Sequence, residues 1–179
     1  MKNSKIFPSL VLVIICLVVT LALAGTYSVA NPIIQENQAK AADAARMQVL
    51  PEGDSFTAYD GNLAEGVLDC YIADNGAGMA VTSAYKGFGG EVKVMVGINA
   101  AGEITGVTVT EHAETPGLGT KAMTVEYLAQ YLAKTEAPAG HIRDDANVDA
   151  ISGATITSNA VYCSVGQALA QFQACGGVK

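Results

Sequence analysis

An α+β domain carried behind an N-terminal transmembrane helix is the fold this 179-residue sequence predicts, on three observations. The stretch from Ile6 to Ala24, IFPSLVLVIICLVVTLALA, contains no charged residue and matches the roughly 20 apolar residues that cross a bilayer core. Beyond it, strand-like patterns come first and helical patterns follow, rather than βα units in succession. The closing segment places Val161, Val165, Ala168, Leu169 and Phe172 on one stripe, at the spacing of a helix with a single buried face. A chain of this length supports one domain with its own core beyond the anchor.

Each element has its own warrant. Lys2 and Lys5 precede the apolar run, and Glu36 is the first charge after it, so the N-terminus is expected inside the cell and the remainder outside. A cleaved signal peptide competes, because ALAG at 22–25 resembles a processing site. The length of the apolar run favours a retained anchor. Cys16 follows the bulky Ile15, which argues against a lipoprotein cysteine. Asn31 and Pro32 read as a cap and first helical residue, opening the helix IIQENQAKAADAARMQVL that leads to the loop PEGDS at 51–55. The expected divisions are therefore 1–30 for the cytoplasmic tip and anchor, 31–50 for a connecting helix, and 51–179 for the folded domain.

Within that domain, GVLDCYIAD and GMAVTSAYKG read as strands separated by NGAG. In EVKVMVGIN, the residues Val92, Val94, Val96 and Ile98 share one face at a period of two. AAGE turns the chain into ITGVTVT, where Val107 and Val109 align, so these two strands form a hairpin in a mainly antiparallel sheet. AMTVEYLAQYLAK, 122–134, has a helical pattern, and the last helix is expected to begin near Ser158.

Composition excludes several functions. A net charge of −7 lacks the basic surface that nucleic-acid binding requires. It also means that a phosphate-bearing ligand would need local backbone dipoles or a covalent bond. Cys70, Cys163 and Cys175 lie in the exported part, and an odd number leaves at least one thiol unpaired. Cys163 and Cys175 fall on one helix about 18 Å apart, too far to bridge, whereas Cys70 could pair with either or with neither. No CxxC occurs, and His112 and His141 are too sparse to suggest a metal site.

The stretch DAISGATITSNAV, 149–161, sets a glycine among hydroxyl side chains just before the last helix. Thr157 or Ser158 could cap that helix. A self-activated nucleophile is weakly supported, since only Asp149 is near enough in sequence to serve as a base. An anion site is the third reading. Thr155 sits at a helix N-terminus, where free N–H groups and the dipole favour phosphate, and Gly153 permits close approach.

DAISGATITS resembles the flavinylation motif of the FMN-binding domain family, in which the Thr after Ser-Gly-Ala carries FMN through a phosphoester. VTEHAETPGLGTKA, 109–122, is similar to the same family's ETPGLG loop, and YKGFGGEVKVMVGINAAGEITGV lies between the anchor and that loop in the family's order. The closest group is the G subunits of Rnf ion-translocating electron-transport complexes. The C subunits of sodium-pumping NADH:quinone reductases share the motifs but are usually longer.

The resemblance implies FMN esterified to Thr155, with Asp149, Ser152, Gly153 and Ala154 read by a separate flavin transferase. It implies that Glu114, Thr115, Pro116, Gly117 and Leu118 lie against the flavin, in a tight loop with exposed N–H groups, and Thr157 and Ser158 at the helix start are also expected to be cofactor-binding residues. The partners implied are the other membrane subunits of an Rnf-type complex, in the inner membrane, with a single span and the C-terminal domain on the outer, periplasmic face. The role implied is electron relay between ferredoxin and NAD, coupled to sodium or proton movement. No independent catalytic residue and no metal ligand is expected. Two other classes compete: a flavinylated extracellular electron-transfer module, and a tethered binding module without cofactor in which SGAT only caps the helix.

Overall fold

The computed structural model describes residues 6–136 and 140–177. Two units make up the chain, Met1–Ala41 and Ala42–Lys179. The first is the greater part of helix α1, Ile6–Val49. Among the described residues, α1 is the one helix long and apolar enough to cross a membrane, and its large side chains from Phe7 to Leu23 are exposed rather than packed. Three hydroxyls of α1 are satisfied locally: Thr20, Thr26 and Ser28 donate to the carbonyls of Cys16, Ala22 and Ala24, one turn back.

One expectation fails here. Pro32 does not open a helix but lies inside α1. Proline's fixed φ is helical, so what is lost is mainly the hydrogen bond to the Ser28 carbonyl. That loss falls where the sequence has turned polar and water can replace the missing donor.

The second unit is a five-stranded antiparallel meander in the order β1-β2-β3-β4-β5. Its strands are β1 Phe56–Ala58, β2 Val67–Ala73, β3 Gly78–Lys86, β4 Glu91–Asn99 and β5 Ile104–Glu111. The period-two face is buried as expected: Val92, Val94, Val96 and Ile98 are inaccessible, packed with Val81 and with Val161, Val165, Ala168 and Leu169 of the last helix. That helix, α3, runs Thr155–Ala174, three residues earlier than its expected start. The three-residue β1 gives too short a pattern to be read from sequence.

The opposite face of the sheet is covered by the end of α1. Val49 packs with Ala80 and Met95, and its carbonyl accepts from Thr105 Oγ1 at 2.6 Å. Ala80, Gly97 and Gly106 pair across β3, β4 and β5 and form a trough of minimal side chains under Val49. A Cβ added at Gly106 would lie 2.6 Å from Val49 Cα. Gly106→Ala is therefore expected to cost about 1–3 kcal/mol by overpacking. Urea unfolding in detergent measures this, and an unchanged midpoint would place Val49 away from the sheet.

The segment 122–134 also differs from expectation. Only Val125–Leu128, α2, is α-helical, flanked by 3-10 turns at Gly119–Met123 and Ala129–Tyr131. Thr124 interrupts the run with an extended backbone, and its hydroxyl accepts from Tyr127 N. After Leu132 the chain leaves the helix to pair with the start of β5: Ala133 N donates to the Ile104 carbonyl, and Ile104 N to that of Lys134. Backbone pairing to a strand thus outweighs helical propensity there.

All four cysteines are thiols. Cys70 is buried beside Met79, and burial pushes its thiol up to about 12. Cys163 lies within α3 and Cys175 caps its end, so the helix holds them apart.

Candidate functional site

The turn before α3 is built by Gly153, whose φ of +81° is a conformation only glycine adopts easily, and it closes through Ala154 N donating to the Ile151 carbonyl. Ala154 stands at the N-cap and offers no side-chain acceptor. The first-turn N–H groups and the positive end of a 20-residue helix are thus left without a capping side chain.

Thr157 and Ser158 do not cap, contrary to one reading of the sequence. Thr157 Oγ1 donates to Glu114 Oε2 at 2.8 Å, and Ser158 Oγ accepts from Ile151 N at 3.1 Å. Both hydroxyls are buried because α3 begins earlier, which places them on its inner face. Thr155 is the first helical residue. It is half-buried, and its hydroxyl has no side-chain or backbone partner among the described residues.

Glu114 organises the other wall. Only 6% exposed, it accepts from Phe88 N (2.8 Å) and Gly89 N (3.1 Å) as well as from Thr157. One carboxylate therefore ties the β3–β4 loop, the loop after β5 and the start of α3 together. Gly87 and Gly119 are glycines for this reason, since a Cβ at either would run into the Glu114 carboxylate.

Within the ETPGLG loop, the N–H groups of Gly117, Leu118 and Gly119 are not exposed donors. Gly117 N donates to Thr120 Oγ1, while Leu118 N and Gly119 N donate to the Thr115 carbonyl. The loop consumes its own donors in turning, with Gly117 at φ +76°. The uncapped start of α3 offers backbone donors for an anion.

Between these walls lies a cavity of about 400 Å³, within the usual range for small-molecule sites. It is lined by Glu114, Thr115, Leu118, Gly153, Ala154, Thr155 and Thr157 from the two sequence motifs. Pro116, Gly117, Asp149, Ser152 and Ser158 do not line it. The Asp149 backbone is held by Gln130 (Asp149 N to Gln130 Oε1, 2.8 Å), and Asp149, Ser152, Pro116 and Gly117 are exposed.

Four lining residues were missed from sequence: Phe88, Gly119, Arg143 and Ile156. Phe88 lies in the KGFGGE stretch, whose glycines were the available signal. Arg143 carries none. Phe88, Ile156 and Leu118 are 73%, 54% and 44% exposed, an apolar rim without protein cover. Neither histidine lines the cavity. His112 Nδ1 accepts from Glu114 N and His141 Nδ1 from Arg143 N, so both brace loop backbone.

The donor set fits a flavin phosphate. An unpartnered hydroxyl and an uncapped helix start suit the phosphate end, and the apolar rim suits a flat aromatic ring. The space beside Gly153 is open, since an added Cβ there would meet only Leu118 Cδ1, at 3.5 Å.

Fold and site together define a domain that follows a helix long and apolar enough to cross a membrane and that carries a partly apolar, phosphate-compatible cleft. Residues 87–170, which include every residue lining that cleft, match the FMN-binding domain family. The chain is 35% identical to the G subunit of the Na(+)-translocating ferredoxin:NAD(+) oxidoreductase complex of Acetobacterium woodii, covering 92% of this chain and 89% of that one. It is 28% identical to the G subunit of the proton-translocating ferredoxin:NAD(+) oxidoreductase complex of Clostridium ljungdahlii, covering 94% and 91%. The crystal structure of Shewanella oneidensis NqrC is similar over 72% of this chain and 70% of that one, with a TM-score of 0.48 and 24% identity. This chain belongs to the FMN-binding family of ion-translocating oxidoreductase complex G subunits.

Proposed function

We propose that this chain carries FMN esterified to Thr155 and relays electrons between the other membrane subunits of a ferredoxin:NAD oxidoreductase complex, its domain lying on the outer face of the membrane. One observation carries the reading: Thr155 opens α3 with a free hydroxyl at an uncapped helix start, and it faces the cleft shared by both motifs.

Each residue has a part. Thr155 Oγ1 retains the cofactor, so retention no longer depends on affinity in a compartment where a dissociating ligand would be lost. The α3 N–H groups favour the phosphate, and the Glu114 clasp holds the cleft together. Phe88, Leu118 and Ile156 exclude water from one side. Exposed Asp149, Ser152 and Gly153 leave the turn accessible to a flavin transferase, which accounts for modification of a hydroxyl that has no neighbouring base. Bound FMN would supply the one- and two-electron chemistry.

Ile6–Ala24 contains no charged side chain with which to carry an ion across the bilayer. Relatives named for sodium and for proton translocation match this chain over similar lengths.

In membranes of the native organism, Thr155→Ala is expected to lower ferredoxin-dependent NAD reduction at least tenfold while the other subunits still copurify with the chain. Activity at the unsubstituted level would contradict electron relay through this site.

A further inference from the structure

Arg143 is the one cation among the residues lining the cleft, and neither motif contains it. Its backbone is fixed from the helix that carries Thr155. Ile142, buried beside it, donates its N–H to Asn159 Oδ1 on α3 at 3.0 Å, and Arg143 N donates to His141 Nδ1 at 3.1 Å. No ion pair engages its guanidinium among the described residues. The cleft's one acid, Glu114, is already committed to three donors.

We propose that Arg143 is a positioning residue for the phosphate on Thr155, its guanidinium bonding the two non-bridging oxygens. This rests on the reading of Thr155 as the flavin-bearing residue. A phosphate esterified at both ends keeps one negative charge, in a chain whose own net charge is −7. The helix start supplies only about half a positive charge. A full, planar cation reaching the phosphate from the 142–144 turn supplies the remainder, in the paired geometry that guanidinium offers and ammonium does not. Arg143 then fixes the angle at which the ribityl chain leaves α3, and with it where the ring meets the apolar rim.

The test uses the full chain, flavinylated in cells that hold the transferase and purified in detergent. The phosphorus resonance of the attached phosphodiester is recorded for the unsubstituted chain, R143Q and R143K, each before and after denaturation. In R143Q the folded-state resonance is expected to move most of the way to the denatured position, and in R143K part of the way. A folded R143Q chain with the unsubstituted resonance would overturn the proposal.

If R143Q folds but carries no flavin, restoration of flavin in R143K supports the proposal, and absence in both overturns it. An unsubstituted chain with no flavin on Thr155, by intact and peptide mass, overturns the Thr155 reading and this one with it.

Discussion

Glu114→Ala is expected to lower the domain's stability by about 3 kcal/mol or more, the largest single effect at the site. Removing the carboxylate takes the acceptor from the part-buried Phe88 N and Gly89 N and from the buried Thr157 Oγ1, and a buried group left unsatisfied costs about 1–3 kcal/mol. The three costs share one cavity and will not add in full. Glu114→Gln is the informative comparison. Its amide oxygen can still accept from both backbone donors, and its NH₂ can donate to the Thr157 hydroxyl, which reverses its role. Gln should therefore cost about 1 kcal/mol, chiefly the loss of charge assistance. Urea unfolding of both variants checks this. Equal losses for Ala and Gln would mean that the carboxylate is not what joins the three segments.

Thr155→Ala should abolish covalent flavin and leave stability nearly unchanged, within about 0.5 kcal/mol, because its hydroxyl bonds nothing among the described residues. Thr157→Ala should do the reverse. It deprives buried Glu114 of a donor, costing about 1–3 kcal/mol, while the flavin stays attached. Two hydroxyls one residue apart on either side of Ile156 thus have opposite signatures, set by which face of α3 each occupies. Thr155→Ser keeps an oxygen at the right place and should retain flavin to the extent that the transferase accepts the missing methyl. Flavin fluorescence of denatured bands, read beside unfolding midpoints, separates the cases. Flavin lost in Thr157→Ala and kept in Thr155→Ala would exchange their roles.

What could be read from sequence follows the reach of each signal. The faces of β4 and β5 were legible because period-two alternation reports which side is buried, and the α3 stripe was legible for the same reason at helical period. Both motifs were legible because their glycines and hydroxyls are contiguous. Pro32 misled because proline suits a first helical turn as well as it fits inside this helix. The 122–134 helix was overestimated because pairing to Ile104 is a long-range gain invisible to a local pattern. Glu114 read as a loop residue against the ligand. Its role as a buried clasp depends on donors from Phe88 and Gly89, some 25 positions earlier. Arg143 reaches the cleft through tertiary anchors such as the link from Ile142 to Asn159, so no spacing rule would have found it.

The central claim, FMN on Thr155, is tested most directly by peptide mapping of the chain isolated from its own membranes. One peptide, spanning 149–161, is expected to bear FMN through a phosphoester, with fragment ions assigning the added mass to Thr155. Flavin assigned to Thr157 or Ser158, or a fully recovered 149–161 peptide of unmodified mass, would contradict it.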